Sequence, residues 1–464
     1  MGKSREADSQ SLQKYGVPLY SAAWLPYKEL RSNLPSHDNY VDSSKQQEHQ
    51  QQEEEISDPS ASSHEYYVIL AGGGGEGSSG IPNAVLLSCF DFSSNSLSSE
   101  PVAKLGLGSQ LPYRMAVHPS GDGVLCAFPN SCRFFDWDEV KDNEDHKLGL
   151  KPSKKVLAQL EDVGQQLALA FNSDSSVLAV GGELKLLVGF DNMYKTDKRP
   201  DDWYVDIVRE ALSYVPPLHL SISNFRTCHL AILLPLEVSK FPQLVQDGNL
   251  RVFKWPSMEI ILNEAQAHAS LKDLCFSPDG KFLVSLGQRD RGRVWDVTSS
   301  TAVASLPKEN DEIFAACRFS QRSDQTKVLY IAAITDKGAS IVTWNTSSWK
   351  RVSSKHVSRE PVSSFNVSPD GKLLAMGMTQ GDVLLVNSTN LRVKTIIRKA
   401  HLGIVTALAF SHDSRALVSA SMDSSARVTL IEDNKSGMYI VIQIFLVINV
   451  SPLAGYGPYN SVTD

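Results

Sequence analysis

Leu274-Cys275-Phe276-Ser277-Pro278-Asp279-Gly280-Lys281-Phe282-Leu283-Val284 sets a pattern that Phe365-Asn366-Val367-Ser368-Pro369-Asp370-Gly371-Lys372-Leu373-Leu374-Ala375 repeats almost position for position. In both, an apolar run meets a Ser-Pro-Asp-Gly turn and a second apolar run follows. Such turn residues supply tight and left-handed backbone conformations, and the apolar flanks read as the two strands of a hairpin. Looser copies occur at 408–414, 169–175, 116–121 and 317–320. Anchored on the residue before each turn, Phe276, Phe319, Val367 and Phe410 follow one another at intervals of 43, 48 and 43 residues. A period of about 40–45 residues is that of a four-stranded propeller blade.

Arg293-Val294-Trp295-Asp296 ends one repeat, and His268 lies upstream of it, as His401 does in the last repeat. These features resemble the WD-repeat family, in which such His, Ser/Thr, Asp and Trp positions brace the blade internally, so a structural role is expected for both histidines. One interval breaks the period: Phe171 and Phe276 are 105 residues apart. Removing 184–246 restores a spacing of 42 and joins Ala179-Val180-Gly181-Gly182-Glu183 to Asp247-Gly248-Asn249-Leu250-Arg251-Val252-Phe253, a match in length and pattern to 375–386. The segment 184–246 is therefore read as an insertion in a blade hairpin, with a helix expected at 203–213. A dispensable loop or retained non-coding sequence is favoured over a partner-binding excursion. Strands are expected at 17–25, 66–71 and 84–92, separated first by the Gln/Glu tract 46–55, which is too polar to pack and places a disordered loop at 30–63. With the copies anchored at Val117, Phe171, Phe276, Phe319, Val367 and Phe410, this unit makes seven blades. The fold class is all-β, a seven-bladed propeller over 1–435, closed by pairing the N- and C-terminal strands.

Composition narrows the function. The 464 residues carry Lys+Arg 45 against Asp+Glu 52, a net charge of -7, so no basic excess points to nucleic acid. Six scattered cysteines form no CxxC pair and no His/Cys cluster, which argues for reduced thiols rather than a disulfide framework or zinc site. The polar start Met1-Gly2-Lys3 has no apolar core of a signal peptide, and Glu6 stands where myristoylation wants Ser or Thr.

The most unusual segment is Ala71-Gly72-Gly73-Gly74-Gly75-Glu76-Gly77-Ser78-Ser79-Gly80-Ile81-Pro82-Asn83. A phosphate-binding loop would open a helix and carry a lysine; here Ala84-Val85-Leu86-Leu87 continues as a strand. A connection needing only reach would not end in the stiff, bulky Ile81-Pro82-Asn83. Glycines let backbone carbonyls converge, and converging carbonyls can hold a desolvated monovalent cation. This loop, following the first long strand, resembles the potassium loop of the WD-repeat guanine-nucleotide exchange factors of the endoplasmic reticulum. That family includes prolactin regulatory element-binding protein and the SEC12-like proteins of plants. The resemblance spans the propeller, about 15–433, apart from the two interruptions, and the glycine loop carries its functional part.

The resemblance implies that the loop rises from the first blade and that Gly73, Gly74, Gly75, Glu76, Gly77 and Gly80 shape a potassium site through backbone carbonyls. Ile81, Pro82 and Asn83 would face a Sar-family small GTPase, promoting GDP release and COPII budding. Asn83 is the foremost of these, because its amide can brace the loop or meet a backbone group of the GTPase. No covalent chemistry is required. Relatives lacking the glycine loop assist transporter exit instead, so a non-catalytic scaffold is the alternative. Membrane residence at the endoplasmic reticulum, with the propeller in the cytosol, would need an anchor. The apolar run 438–450 reaches only about 20 Å as a helix against about 30 Å of hydrocarbon, and a closing strand or aberrant terminus is the competing reading, with a cytosolic location. A monomer is expected.

Overall fold

The computed structural model describes residues 11–26, 65–75, 79–142, 145–155, 157–161, 163–182, 185–186, 245–246, 249–265, 267–288, 290–309, 311–320 and 328–431. Apart from one 3₁₀ turn at Ala158–Leu160, these residues are strands and their connections. They form seven antiparallel sheets arranged as the blades of a closed propeller, and a two-stranded piece at Lys185–Leu186 and Val245–Gln246.

The Ser-Pro-Asp-Gly turns explain their own recurrence. Ser277 Oγ donates to Asp279 at 2.6 Å and accepts the Phe282 N–H at 2.9 Å, and Ser368 does the same with Asp370 and Leu373 at the same distances. Ser411 repeats the pair with Asp413 and Ala416. The turn's left-handed position is held by Gly280 and Gly371, and by Ser414 and Ser175 in the looser copies. Each turn follows a blade's innermost strand, and the anchor residues Val117, Phe171, Phe276, Phe319, Val367 and Phe410 are the last residues of those strands.

The first blade orders Leu19–Trp24, Glu65–Gly72 and Ala84–Asp91 from the centre outward, and its outer edge is split between Ser96–Leu97 and Ala103–Gly106. In the third blade Val177–Gly182 pairs with Leu250–Lys254, although 67 residues separate them in sequence. Gly181 opposite Leu250 and Lys185 opposite Gln246 share one register, so the two arms leading into 184–246 continue the hairpin ladder. The remainder of that segment, including the helix expected at 203–213, lies outside the described residues, as do all of the 30–63 loop and all of 438–450.

Closure comes from the N-terminus. Leu12–Lys14 forms the outer strand of the last blade, Leu12 opposite Arg427 and Lys14 opposite Ser425. The outer edge of the last blade is thus occupied by a strand from the N-terminus.

The core is not central. The buried apolar residues fall into seven clusters, each bridging one pair of neighbouring blades. A twisted four-stranded sheet has two faces to cover, and a ring covers both on its neighbours without helices. No helix among the described residues is long and apolar enough to cross a membrane. Among the five described cysteines, Cys126, Cys132, Cys275 and Cys317 are free thiols whose pKa values burial raises, that of Cys132 to about 12.

Candidate functional site: the glycine loop of the first blade

The loop joins the second and third strands of the first blade, leaving the sheet at Gly72 and returning at Ala84. Its base is tight. A side chain on Gly72 would begin 1.9 Å from the Pro18 carbonyl oxygen, and that oxygen accepts the Gly73 N–H at 2.9 Å. A side chain on Gly73 would meet Asn83 Oδ1 at 2.2 Å, and one on Gly74 would meet Ser79 Oγ at 2.4 Å and the Ile81 oxygen at 3.0 Å. Glycine is required here by lack of space. At Gly75 and Gly80 the requirement is conformational, with φ of 84° and 70° and little or nothing nearby.

Asn83 holds the loop together. Its Oδ1 accepts the Gly75 N–H at 3.0 Å, and its Nδ2 donates to the carbonyls of Gly75 at 3.1 Å and Gly108 at 2.9 Å. Its own carbonyl accepts the Leu107 N–H at 2.9 Å. At 2% exposure its side chain is inside the protein. Of the two uses expected for this amide the structure shows the bracing one, since Nδ2 and Oδ1 both bond backbone groups of its own chain and the side chain is buried. The exposed end of the loop is left to Ile81, 38% exposed, and Pro82. The Ile81 N–H donates to Ser79 Oγ at 3.3 Å.

Gly108, Leu107 and Pro18 were not marked by the sequence pattern. They act through backbone groups from distant segments, which leave no residue-type signature. Glu76 and Gly77 lie outside the described residues. The described part of the loop has no ionisable side chain, and among the described residues no three His, Cys, Asp or Glu side chains are grouped to hold a metal ion. The oxygens packed around Gly73–Gly75 are neutral, from carbonyls, the Asn83 amide and Ser79. Such a donor set fits a large monovalent cation better than zinc or a tightly hydrated divalent ion.

The two motif histidines are buried in blade interiors. His268 Nε2 meets Ser285 Oγ at 2.8 Å, and Trp295 Nε1 donates to the same oxygen at 2.8 Å. His401 bridges Ser419 at 2.7 Å and Ser425 at 2.6 Å, and Asp423 accepts the Leu402 N–H at 2.6 Å. Desolvation lowers both imidazoles to about 4, outweighing the raising effect of Asp290 and Asp423, so both are neutral struts at pH 7.

Comparison with known proteins agrees with this geometry. The WD domain, G-beta repeat family matches residues 261–296 and 392–429. The first match starts on the outer strand of one blade and the second one residue before such a strand, and both end on the third strand of the next blade. SEC12-like protein 2 of Arabidopsis thaliana is 48% identical over 431 residues, covering 93% of this chain and 90% of that protein. The chain belongs to the SEC12-like family of WD-repeat proteins. SEC12-like protein 1 of the same organism is 26% identical over 387 residues, 82% of this chain and 79% of its own. The guanine nucleotide-exchange factor SEC12 of Rattus norvegicus is 26% identical over 216 residues, 41% of this SEC12-like chain and 51% of the rat protein.

Proposed function

We propose that this SEC12-like chain is a guanine-nucleotide exchange factor for a Sar-family small GTPase, acting at the endoplasmic reticulum to promote GDP release and COPII budding. The observation that carries this reading is the braced loop, in which buried Asn83 ties Gly75 to Gly108 while Ile81 and Pro82 stand exposed at its end. Exchange needs no nucleophile or general base. A factor that binds the nucleotide-free GTPase better than the nucleotide-bound form lowers nucleotide affinity by that difference, by linkage. A rigid contact suits this, since little binding energy is lost in ordering it.

The carbonyls of Gly73, Gly74, Gly75 and Gly80, with Glu76 and Gly77, would hold the potassium ion that the resemblance implies. When bound, the ion would supply a fixed positive centre drawing neutral oxygens together. Asn83 orients Gly75 from below, and Pro18 anchors Gly73.

The test is stopped-flow release of a fluorescent GDP from a Sar-family GTPase by the full chain in potassium and in sodium buffer. Acceleration that is greater in potassium and lost on Ile81→Ala supports the proposal. A folded parent that leaves the rate unchanged overturns it. The alternative, a non-catalytic scaffold assisting cargo exit, is favoured by one observation: the two relatives matched over most of their length are named SEC12-like rather than exchange factors. Location at the membrane, with the propeller in the cytosol, is part of the proposal, and a cytosolic location goes with the reading in which 438–450 does not anchor.

A further inference from the structure

Ten large apolar side chains are exposed among the described residues. Five of them, Ile260, Val303, Val352, Val393 and Ile396, lie on outermost blade strands. Ile313 opens the inner strand of the fifth blade. The other four sit in connections: Ile81 at 38% exposure, Leu402 at 79%, Ile404 at 41% and Met422 at 43%.

Topology places these four on one face. Each blade's innermost strand runs away from this face and the second runs back toward it. The connection from second to third strand therefore emerges at the same end as the link entering each blade's innermost strand. The glycine loop is the first such connection in the first blade, Met422 lies in its counterpart in the last blade, and Leu402 and Ile404 lie in the link entering the last blade. Those two blades are neighbours across the ring closure.

The two sites are also physically joined. Pro18 accepts the Gly73 N–H at 2.9 Å, the next residue's carbonyl, Leu19 O, accepts from Thr406 Oγ1 at 2.6 Å, and Ile404 O accepts the Met422 N–H at 3.2 Å. The Asp423 carboxylate holds the Leu402 N–H at 2.6 Å, so the most exposed leucine is mounted on an ordered backbone.

We infer that Leu402, Ile404 and Met422 form with Ile81 and Pro82 a continuous docking face for the small GTPase, seating an apolar cluster of its nucleotide-free form. This rests on the exchange-factor reading. Its physical motive is area: a specific interface needs roughly 800 Å² per partner and an apolar centre, which two loop residues do not supply. Exposed apolar side chains on the same face, in the blade tied to the base of the loop, are the expected source of the remainder.

The experiment measures exchange kinetics and affinity for nucleotide-free Sar-family GTPase, using the full chain, Leu402→Asp, Met422→Asp and the remote control Val352→Asp. Leu402→Gln is included in case the charged variants disturb folding, which circular dichroism reports. The expected result is a loss in kcat/KM of about tenfold or more for the two patch variants, with a matching loss of affinity and no change in the control. Patch variants as active as an active parent overturn this inference and leave the exchange-factor reading standing. A parent that binds without accelerating exchange overturns that reading, and the patch is then judged on affinity alone. A parent that neither binds nor exchanges overturns both. Self-association of the parent in sedimentation velocity that Leu402→Asp abolishes, without effect on the GTPase, assigns the patch to a second copy and overturns the inference.

Discussion

The Asn83 carboxamide clasps Gly75 from both sides, its Oδ1 accepting the Gly75 N–H at 3.0 Å and its Nδ2 donating to the Gly75 carbonyl at 3.1 Å. An amide side chain can do this because it carries both a donor and an acceptor, and here it forms what two paired strand residues would form with each other. The same Nδ2 reaches Gly108 at 2.9 Å, so the loop is fixed to the link between the first and second blades as well.

Asn83→Ala removes all three bonds and leaves backbone groups at Gly75 and Gly108 without their partner. Exchange should fall at least tenfold. Stability should fall by about 1–3 kcal/mol, the usual cost of unsatisfied buried polar groups, while the ring stays folded. Asn83→Asp should be as damaging, since a carboxylate has no proton to donate to the two carbonyls. Urea unfolding beside the exchange assay checks both, and an Asn83→Asp protein with parental exchange would remove the bracing role.

Gly73→Ala tests the same clasp from the other partner. Its methyl group would start 2.2 Å from Asn83 Oδ1, so the amide must move. Gly80→Ala meets nothing within 4 Å and incurs only the left-handed backbone penalty, about 1 kcal/mol. Exchange should therefore be impaired far more by Gly73→Ala than by Gly80→Ala, as measured with fluorescent GDP.

Acid should weaken the fold through His268 and His401. Both have an ordinary value of 6.5 and are lowered to about 4 in the fold, chiefly by desolvation. Between those values the unfolded chain binds the more protons, so stability is fully present above the higher value and is lost as pH falls toward the lower. The slope is about 1.4 kcal/mol per pH unit for each histidine. Urea unfolding across this range should show it, and His401→Gln should flatten the dependence while lowering stability at neutral pH.

Two ion pairs should respond differently to truncation. Arg351 grips Glu312 through two bonds of 2.8 and 2.7 Å with Glu312 buried, whereas Lys151 and Asp138 are paired at 2.7 Å in solvent. Arg351→Leu strands a buried carboxylate and should cost about 3–5 kcal/mol. Lys151→Ala should cost about 1 kcal/mol or less, because water and salt screen that pair. Equal effects in thermal denaturation would contradict the burial argument.

Excision of 184–246, joining Glu183 to Asp247, should leave a cooperative unfolding transition with a melting temperature no lower than the parent's. The flanking strands already pair with each other outside the excised segment, from Val177 opposite Lys254 to Gly181 opposite Leu250. Loss of cooperativity would mean that the segment packs into the ring.

The repeat, its seven copies and the interruption of the third blade were legible in the sequence because the turn chemistry is local. Ser277, Asp279 and Gly280 satisfy one another within a few residues, so the same letters recur wherever the same turn does. The glycine density was legible as well, since lack of space at Gly73 and Gly74 excludes every side chain. The tertiary structure decided what those glycines pack against and which strand closes the ring. It also buried Asn83 and placed Leu402, Ile404 and Met422 in connections of the neighbouring blade on the same face as the loop. The reason is range: Pro18, Gly108 and Thr406 meet the site through backbone oxygens, or reach one with a side chain, from segments far apart in sequence, and a backbone carbonyl is the same in every residue.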